Sequence, residues 1–336
     1  MDLERRSLRF GIWMIALAAV LRLAGGGLGG QVRGFFSRPE TASFLLYLHS
    51  GRVLRPMPEQ TEPSETQPAA TKPSETLPTH PVMPDLPSFR REEISLVEIT
   101  WHSSYRPELE DLLCAPLSWN LTGDEPTVLI FHSHATESYT PSAGEDYKES
   151  SAYRTLDTDY NMVSVGDHLA TLLRQQGIVV VHDRTLHDEP SYSGAYSSSR
   201  KSVQALLEQY PSIRLVIDLH RDALSLDSGK QLDTHALVDG RDSAQLMMVV
   251  GTDDGGLTHP CWRENLALAL KLHVLLERDN PGITRPISFR TQRFNQDLSP
   301  GAMLIEVGAA GDIHTEALTA AEALAAAIAK LALGSR

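Results

Sequence analysis

The chain has 336 residues, 41% apolar and 22% charged, enough for one large domain or two small ones with appendages. Thirty basic against 43 acidic side chains give a net charge of −13, which excludes a general DNA or RNA binder, because such a protein needs a basic field against phosphate. Cys114 and Cys261 lie far apart with no Cys-x-x-Cys pair, which excludes zinc ribbons, iron–sulfur sites and disulfide scaffolds and leaves a single disulfide open.

Residues 1–9 place Arg5, Arg6 and Arg9 before an apolar stretch, 10–28, whose only charge is Arg22. As a helix that stretch would span roughly 28 Å. Arginines on its N-terminal side predict a cytoplasmic 1–9, a transmembrane anchor or uncleaved signal at 10–28, and export of everything that follows. From 52 to 90 the chain is a Pro/Thr/Glu/Ser-rich linker. Between Pro56 and Asp85 it carries eight prolines in thirty residues and a ten-residue repeat, TEPSET then TKPSET. Such a segment builds no core and acts as a spacer.

After a transitional stretch, 125–334 alternates short apolar runs with helix-period segments. TVLIF (127–131) reads as a buried strand. The segment 162–177 places Val165, Leu169, Leu172 and Leu173 on one helical face and stops at Gly177. Strands follow at 178–181, 215–219, 244–251 and 302–307, with helices at 199–210, 262–279 and 315–333. THALV (234–238) is expected to pair antiparallel near an edge. Apolar strands separated by helices predict an α/β domain, a mostly parallel open sheet with helices on both faces.

In such sheets ligands sit beyond the carboxyl ends of the strands. The first strand exits into His132-Ser133-His134-Ala135-Thr136-Glu137, the 215–219 strand into His220-Arg221-Asp222, and the last strand contains Glu306 in an otherwise apolar run. His134, Glu137 and His220 make two imidazoles and one carboxylate, the ligand set of catalytic zinc, which leaves a position open for water. Glu306 is then the general base. His132, taken to point with His134, and Asp218 are expected to support the ligands. Arg221 is expected either to hold a substrate carboxylate or oxyanion or to form a buried ion pair. Asn295 reads as a loop residue or a substrate hydrogen-bond partner. His182 and His187 are expected at the surface or behind the ligands.

The segments FHSHATESY, Tyr153-Arg154 through Asn161 to Gly177, TLHDEPSYSGAYSSSR, LVIDLHRDA and RFNQDLSPGAMLIEVG resemble, in order, the stage II sporulation protein P family over about 125–333. The family is similar in fold to zinc N-acetylmuramoyl-L-alanine amidases, and the arrangement is similar to zinc carboxypeptidases (phosphorylase/hydrolase-like). The resemblance implies a single-pass cell-membrane protein of endospore formers, with its catalytic domain outside the cytoplasm at the sporulation septum and engulfing membrane. There it would cleave peptidoglycan at the muramoyl amide and at peptide cross-links, with the stage II sporulation proteins D and M as partners. The same resemblance carries His134 and His220 over as metal ligands and Glu306 as the catalytic glutamate. For the carboxylate ligand, Asp157, Asp159 and Asn161 stand as alternatives to Glu137. Two other functions remain: a carboxypeptidase-type wall hydrolase using Arg221, Arg290 or Arg293, and a non-catalytic wall-binding module.

Overall fold

A computed structural model describes residues 87–332, apart from 118, 143, 146 and 227. In chain order these residues form β1 (Ile99–Trp101), α1 (Leu109–Cys114), β2 (Val128–Phe131), β3 (Glu149–Ser151), β4 (Arg154–Thr155), α2 (Met162–Gln175), β5 (Val180–His182), α3 (Ala195–Gln209), β6 (Leu215–Asp222), β7 (Ala236–Val238), β8 (Arg241–Ser243), β9 (Leu246–Val250), α4 (Trp262–Asp279), β10 (Ile287–Phe289), β11 (Ala302–Ala309) and α5 (His314–Lys330). The apolar stretch 10–28 and all but the end of the linker lie outside the described residues. Among the described residues no helix is long and apolar enough to cross a membrane. Residues 223–230 belong to a separate unit, where backbone bonds from Leu226 to Lys230 and from Gly229 to Leu226 close a turn.

Seven strands form one sheet in the order β1-β10-β9-β11-β6-β2-β5, parallel throughout except where β9 meets β11. Strand side chains alternate between faces, and both faces are apolar. Val128, Ile130, Ile217, Met303 and Ile305 enter the larger core with α2, α4 and α5. Leu129, Phe131, Val216 and Ala302 pack against Val203 of α3. This is the expected mostly parallel sheet with helices on both faces. From β2 the chain continues into β5 on one side and then crosses to β6 on the other, so a crevice opens at the carboxyl ends of β2 and β6.

The fold differs from the sequence expectation at its N-terminal boundary, set at 125. β1 is the sheet's edge strand, with Ile99 opposite Ile287 of β10. The fully buried Lys271 of α4 donates to the carbonyls of Leu112 and Leu113 at 3.0 and 2.6 Å, satisfying the open C-terminal end of α1. Residues 234–238 do supply an antiparallel strand, but β7 pairs with β8 in a separate ribbon rather than at an edge of the main sheet. Cys114 and Cys261 are free thiols.

Helix α2 begins where the Asn161 side chain accepts from Val163 N–H at 2.9 Å, and its chain reverses at Gly177, whose φ of +80° suits glycine. Its inner face holds a tighter constraint. A Cβ on Gly166 would stand 2.5 Å from His182 Nε2 and 2.6 Å from His132 Nε2. Gly166→Ala is therefore expected to destabilise the domain by about 1–3 kcal/mol in urea unfolding, because each imidazole is held on its other nitrogen, His132 by Leu219 O and His182 by Asp167.

Candidate active site

The pleat places the central groups. Glu306 of β11 is directly opposite His220 of β6, and Leu304 is opposite Asp218, so Asp218, His220 and Glu306 share the α3 face at its carboxyl end. Asp218, 2% exposed, accepts from His220 Nε2 at 2.8 Å, from Ser133 N–H at 2.7 Å and from Ser133 Oγ at 2.6 Å. It thereby fixes the His220 ring and the first residue of the turn after β2 in one contact.

That turn is over-determined. Glu137 N–H bonds His134 O, Ser138 N–H bonds Tyr153 O, and Met162 N–H at the start of α2 bonds Glu137 O. The result carries Glu137 Oε2 to 3.5 Å from His220 Nδ1, with the Arg221 N–H at 3.3 Å. Arg154 bridges Glu137 Oε1 at 3.1 Å and Asp188 Oδ2 at 2.8 Å, and its guanidinium lies 4.4 Å from the Tyr192 ring centroid. Tyr192 in turn stacks on His134 at 4.3 Å, and the His134 and His220 rings stand 5.4 Å apart, nearly perpendicular. His134, Glu137 and His220 are thus brought together from two strand ends.

Burial lowers the His134 pKa to about 4, so this ring is neutral at pH 7 and keeps a lone pair. Burial also opposes charge on Glu137, but Arg221, His220 and Arg154 overrule it and hold that carboxyl well below the usual range. For His220 burial is again outweighed, by Asp218 and Glu137, and its pKa lies well above the ordinary value. Glu306 goes the other way: burial first, then the charge of Asp222, pushes it up to about 8, and its Oε2 is out of water with no hydrogen-bond partner.

Among the described residues no three His, Cys, Asp or Glu side chains already stand in metal-holding geometry. The donor chemistry nevertheless fits a divalent cation. His134 Nδ1 is buried without a partner, and the 3.5 Å between His220 Nδ1 and Glu137 Oε2 is close to the separation of two ligand atoms on a tetrahedral zinc. Asp218 behind His220 supplies the carboxylate that usually orients a ligating imidazole. Carboxyls of Glu137, Asp188, Asp218 and Glu306 collect around this point.

Other candidates fall elsewhere. His132 does not point with His134: its Nδ1 meets Leu219 O at 2.9 Å and its Nε2 meets His182 Nε2 at 2.8 Å, beneath Gly166 of α2. It continues the Val128–Ile130 side of the pleat, whereas the turn from Ser133 carries His134 to the α3 side. Arg221, 5% exposed, donates to the carbonyls of Ser138 and Tyr153 and so holds the site loop. Asn295 donates to Tyr196 O at 2.8 Å, behind the tyrosine whose ring stacks 6.5 Å from His220. Asp157 and Asp159 are exposed and Asn161 caps α2, so of these four alternatives Glu137 is the one beside His220. His187 bonds Ser198 and Asp183. Arg154, Asp188 and Tyr192 had been given no role from sequence. Each acts through tertiary contacts that leave no local pattern.

Burial, aided by Arg184 and Arg174, holds the His182 pKa at about 4 against 6.5 in an open chain. Between those values the unfolded chain binds a proton that the folded one refuses, so stability falls as pH drops from about 6.5 to about 4, by up to ~3 kcal/mol. His182→Gln is expected to remove that part of the acid loss when urea unfolding is compared at pH 7 and pH 4.5. A difference between the two proteins that stays constant with pH would contradict it.

The family sequence pattern described as stage II sporulation protein P matches residues 54–329. The chain belongs to the stage II sporulation protein P family. Its relative in Bacillus subtilis (strain 168), named stage II sporulation protein P, is 31% identical over 216 residues, covering 61% of this chain and 50% of the relative. The chain thus spans about half the length of the curated family member it matches. Among solved structures, the N-acetylmuramoyl-L-alanine amidase AmiC2 of Nostoc punctiforme is 18% identical at a TM-score of 0.35, covering 63% of this chain and 97% of that one. The N-acetylmuramoyl-L-alanine amidase from Clostridium difficile 630 is 16% identical at a TM-score of 0.35, covering 63% and 96%. At such scores the family assignment rests on the sequence matches. All five segments that carried the resemblance lie within 54–329.

Proposed function

We propose that this stage II sporulation protein P family member is a zinc-dependent peptidoglycan hydrolase that cleaves the N-acetylmuramoyl-L-alanine amide and peptide cross-links of septal wall. The observation that carries the reading is the meeting, at one end of the sheet, of His134, Glu137 and His220 with Glu306, whose Oε2 is unpartnered, opposite His220. His134, Glu137 and His220 would hold zinc, which when bound polarises a carbonyl and activates water. The Glu306 carboxylate takes the proton of the attacking water and returns it to the leaving amine nitrogen, a role suited to a carboxyl whose pKa is near neutrality. Asp218 keeps His220 Nδ1 turned toward the ligand position. Arg221 and Arg154 fix the Glu137 carboxylate, and the Tyr192 ring covers His134.

In the same reading residues 10–28 anchor the chain, the linker gives the domain reach from the outer membrane face to the wall, and the stage II sporulation proteins D and M act with it during engulfment. The carboxypeptidase-type alternative has one observation in its favour, the buried Arg290 Nε with no hydrogen-bond partner. Mass spectrometry of fragments released from purified peptidoglycan by the full chain separates the two. Glycan strands freed of whole stem peptides, together with split cross-links, are expected, and their loss on chelation is expected with them. Release of single terminal residues alone would favour the alternative, and binding without release would favour a wall-binding module.

A further inference from the structure

A groove of about 540 Å³ adjoins the candidate site, and Tyr196 belongs to both. On one side the Tyr196 ring lies parallel to His220 at 6.5 Å; on the other it meets Phe294 at 6.0 Å. Leu257, 60% exposed, lines the same groove, as do Arg200 and Arg293.

The walls are built and held. Phe294 and Asn295 are consecutive non-glycine residues at φ +50° and +59°, a conformation that costs energy and persists where surroundings impose it. Asn295 is held by the carbonyl of Tyr196. On the facing wall Gly255 N–H bonds Thr291 O at 3.0 Å, and a Cβ on Gly255 would come within 2.6 Å of that oxygen. Asp254, beside it, accepts from Ser103 Oγ at 2.9 Å and from Ser104 N–H at 2.6 Å, so the N-terminal segment braces the same wall.

The charged side chains that line the groove are both cationic, Arg200 and Arg293. Arg200 binds Asp297 through both guanidinium nitrogens, at 2.8 and 2.7 Å, and Arg293 shares that carboxylate at 3.3 Å. Two guanidinium groups thus share the Asp297 carboxylate behind the lining, and Asp254, beside Gly255, is engaged by Ser103 and Ser104, so the lining itself presents cations beside an aromatic wall. Wall stem peptides carry free carboxylates and aliphatic side chains, whereas glycan with its lactyl groups amide-linked is uncharged.

We infer that this groove is the subsite for the acidic stem peptide, with Arg293 facing a peptide carboxylate and Tyr196, Phe294 and Leu257 lining its aliphatic parts. The inference rests on the peptidoglycan reading of the adjoining site and specifies which half of the substrate lies on the Tyr196 side.

The test is equilibrium binding to the full chain, by calorimetry, of two probes: the tripeptide L-alanyl-γ-D-glutamyl-diaminopimelate and the neutral oligosaccharide chitotetraose. Arg293→Gln removes one of the two lining cations while Arg200 still satisfies Asp297, and it is expected to weaken the tripeptide about tenfold. Leu257→Glu, at an exposed position, is expected to weaken it at least as much, and Leu257→Lys to bind as tightly as the unaltered chain or tighter. The chitotetraose affinity is expected to stay unchanged. Tripeptide affinity within twofold in both weakening variants, no tripeptide binding by the unaltered chain, or a loss confined to chitotetraose would each overturn the assignment. Because binding is read without turnover, the two ideas fail separately. A chain that cleaves wall but binds tripeptide equally in all variants keeps its activity and loses this subsite. A chain that releases nothing but shows the variant effects keeps the subsite and loses the hydrolase reading.

Discussion

Replacing Glu306 by glutamine is expected to lower peptidoglycan cleavage about 10²–10⁴-fold while leaving the domain folded and equally stable or slightly more so. The opposing directions follow from one feature. Glu306 sits in the run Met303–Val307, where Oε2 has neither water nor a hydrogen-bond partner, and burial with the nearby Asp222 raises its pKa to about 8. A carboxyl oxygen kept from water without a partner costs folding free energy, so a neutral amide in its place is not expected to weaken the strand. A proton acceptor opposite His220 is, by contrast, what hydrolysis at this site requires. Release of stem peptide from wall and the urea midpoint, measured on the same preparation, check both halves. Activity within about threefold of the unaltered chain would place the base elsewhere.

Asp218→Ala is expected to have the largest effect on stability, about 3 kcal/mol, because it strands three donors at once: His220 Nε2, Ser133 N–H and Ser133 Oγ. Its second consequence is functional. With its Nε2 released, the His220 ring is no longer oriented toward Glu137, and zinc affinity is expected to fall about 10–100-fold. Asp218→Asn, which keeps the volume and one acceptor, should lose less stability than Asp218→Ala. Denaturant unfolding of the metal-free protein separates the structural effect from zinc affinity measured by competition with a chelator. An alanine variant as stable as the parent would show that the Ser133 turn does not depend on this carboxylate.

The parts of the fold that were legible in the sequence are those where side-chain periodicity is long enough to decide. Helix α4 was placed at 262–279 and is found there, and β2, β6 and β11 emerge from their apolar runs. β1 and β10 are three residues each, too short for a pattern, and they become strands because β9 offers an edge for β10 and β10 then offers one for β1. Helix α3 starts at Ala195 rather than at 199, and that extra turn brings Tyr196 to His220.

The site was legible at strand exits, where an imidazole or carboxyl after an apolar run stands out. His134, Glu137, His220 and Glu306 stand out in this way, and the structure brings them to one end of the sheet. His132 shows the limit of the period-two argument. The strand ends at Phe131, so His132 keeps the face of Ile130, and the turn sends His134 to the opposite one. Arg154 and Asp188 lie on separate elements from Glu137, and the Arg154 bridge between the two carboxylates is a property of the folded chain alone.

The claim on which the rest depends is that His134, Glu137 and His220 hold a metal. X-ray absorption at the zinc edge, with zinc content, on the full chain and on His134→Ala and His220→Ala tests it without reference to turnover. One zinc per chain is expected, with two imidazole nitrogens and a carboxylate oxygen among its ligands, and each variant should lose one imidazole and most of its affinity. Failure of the unaltered chain to retain zinc, or a zinc whose imidazole shell is the same in both variants as in the unaltered chain, would contradict it.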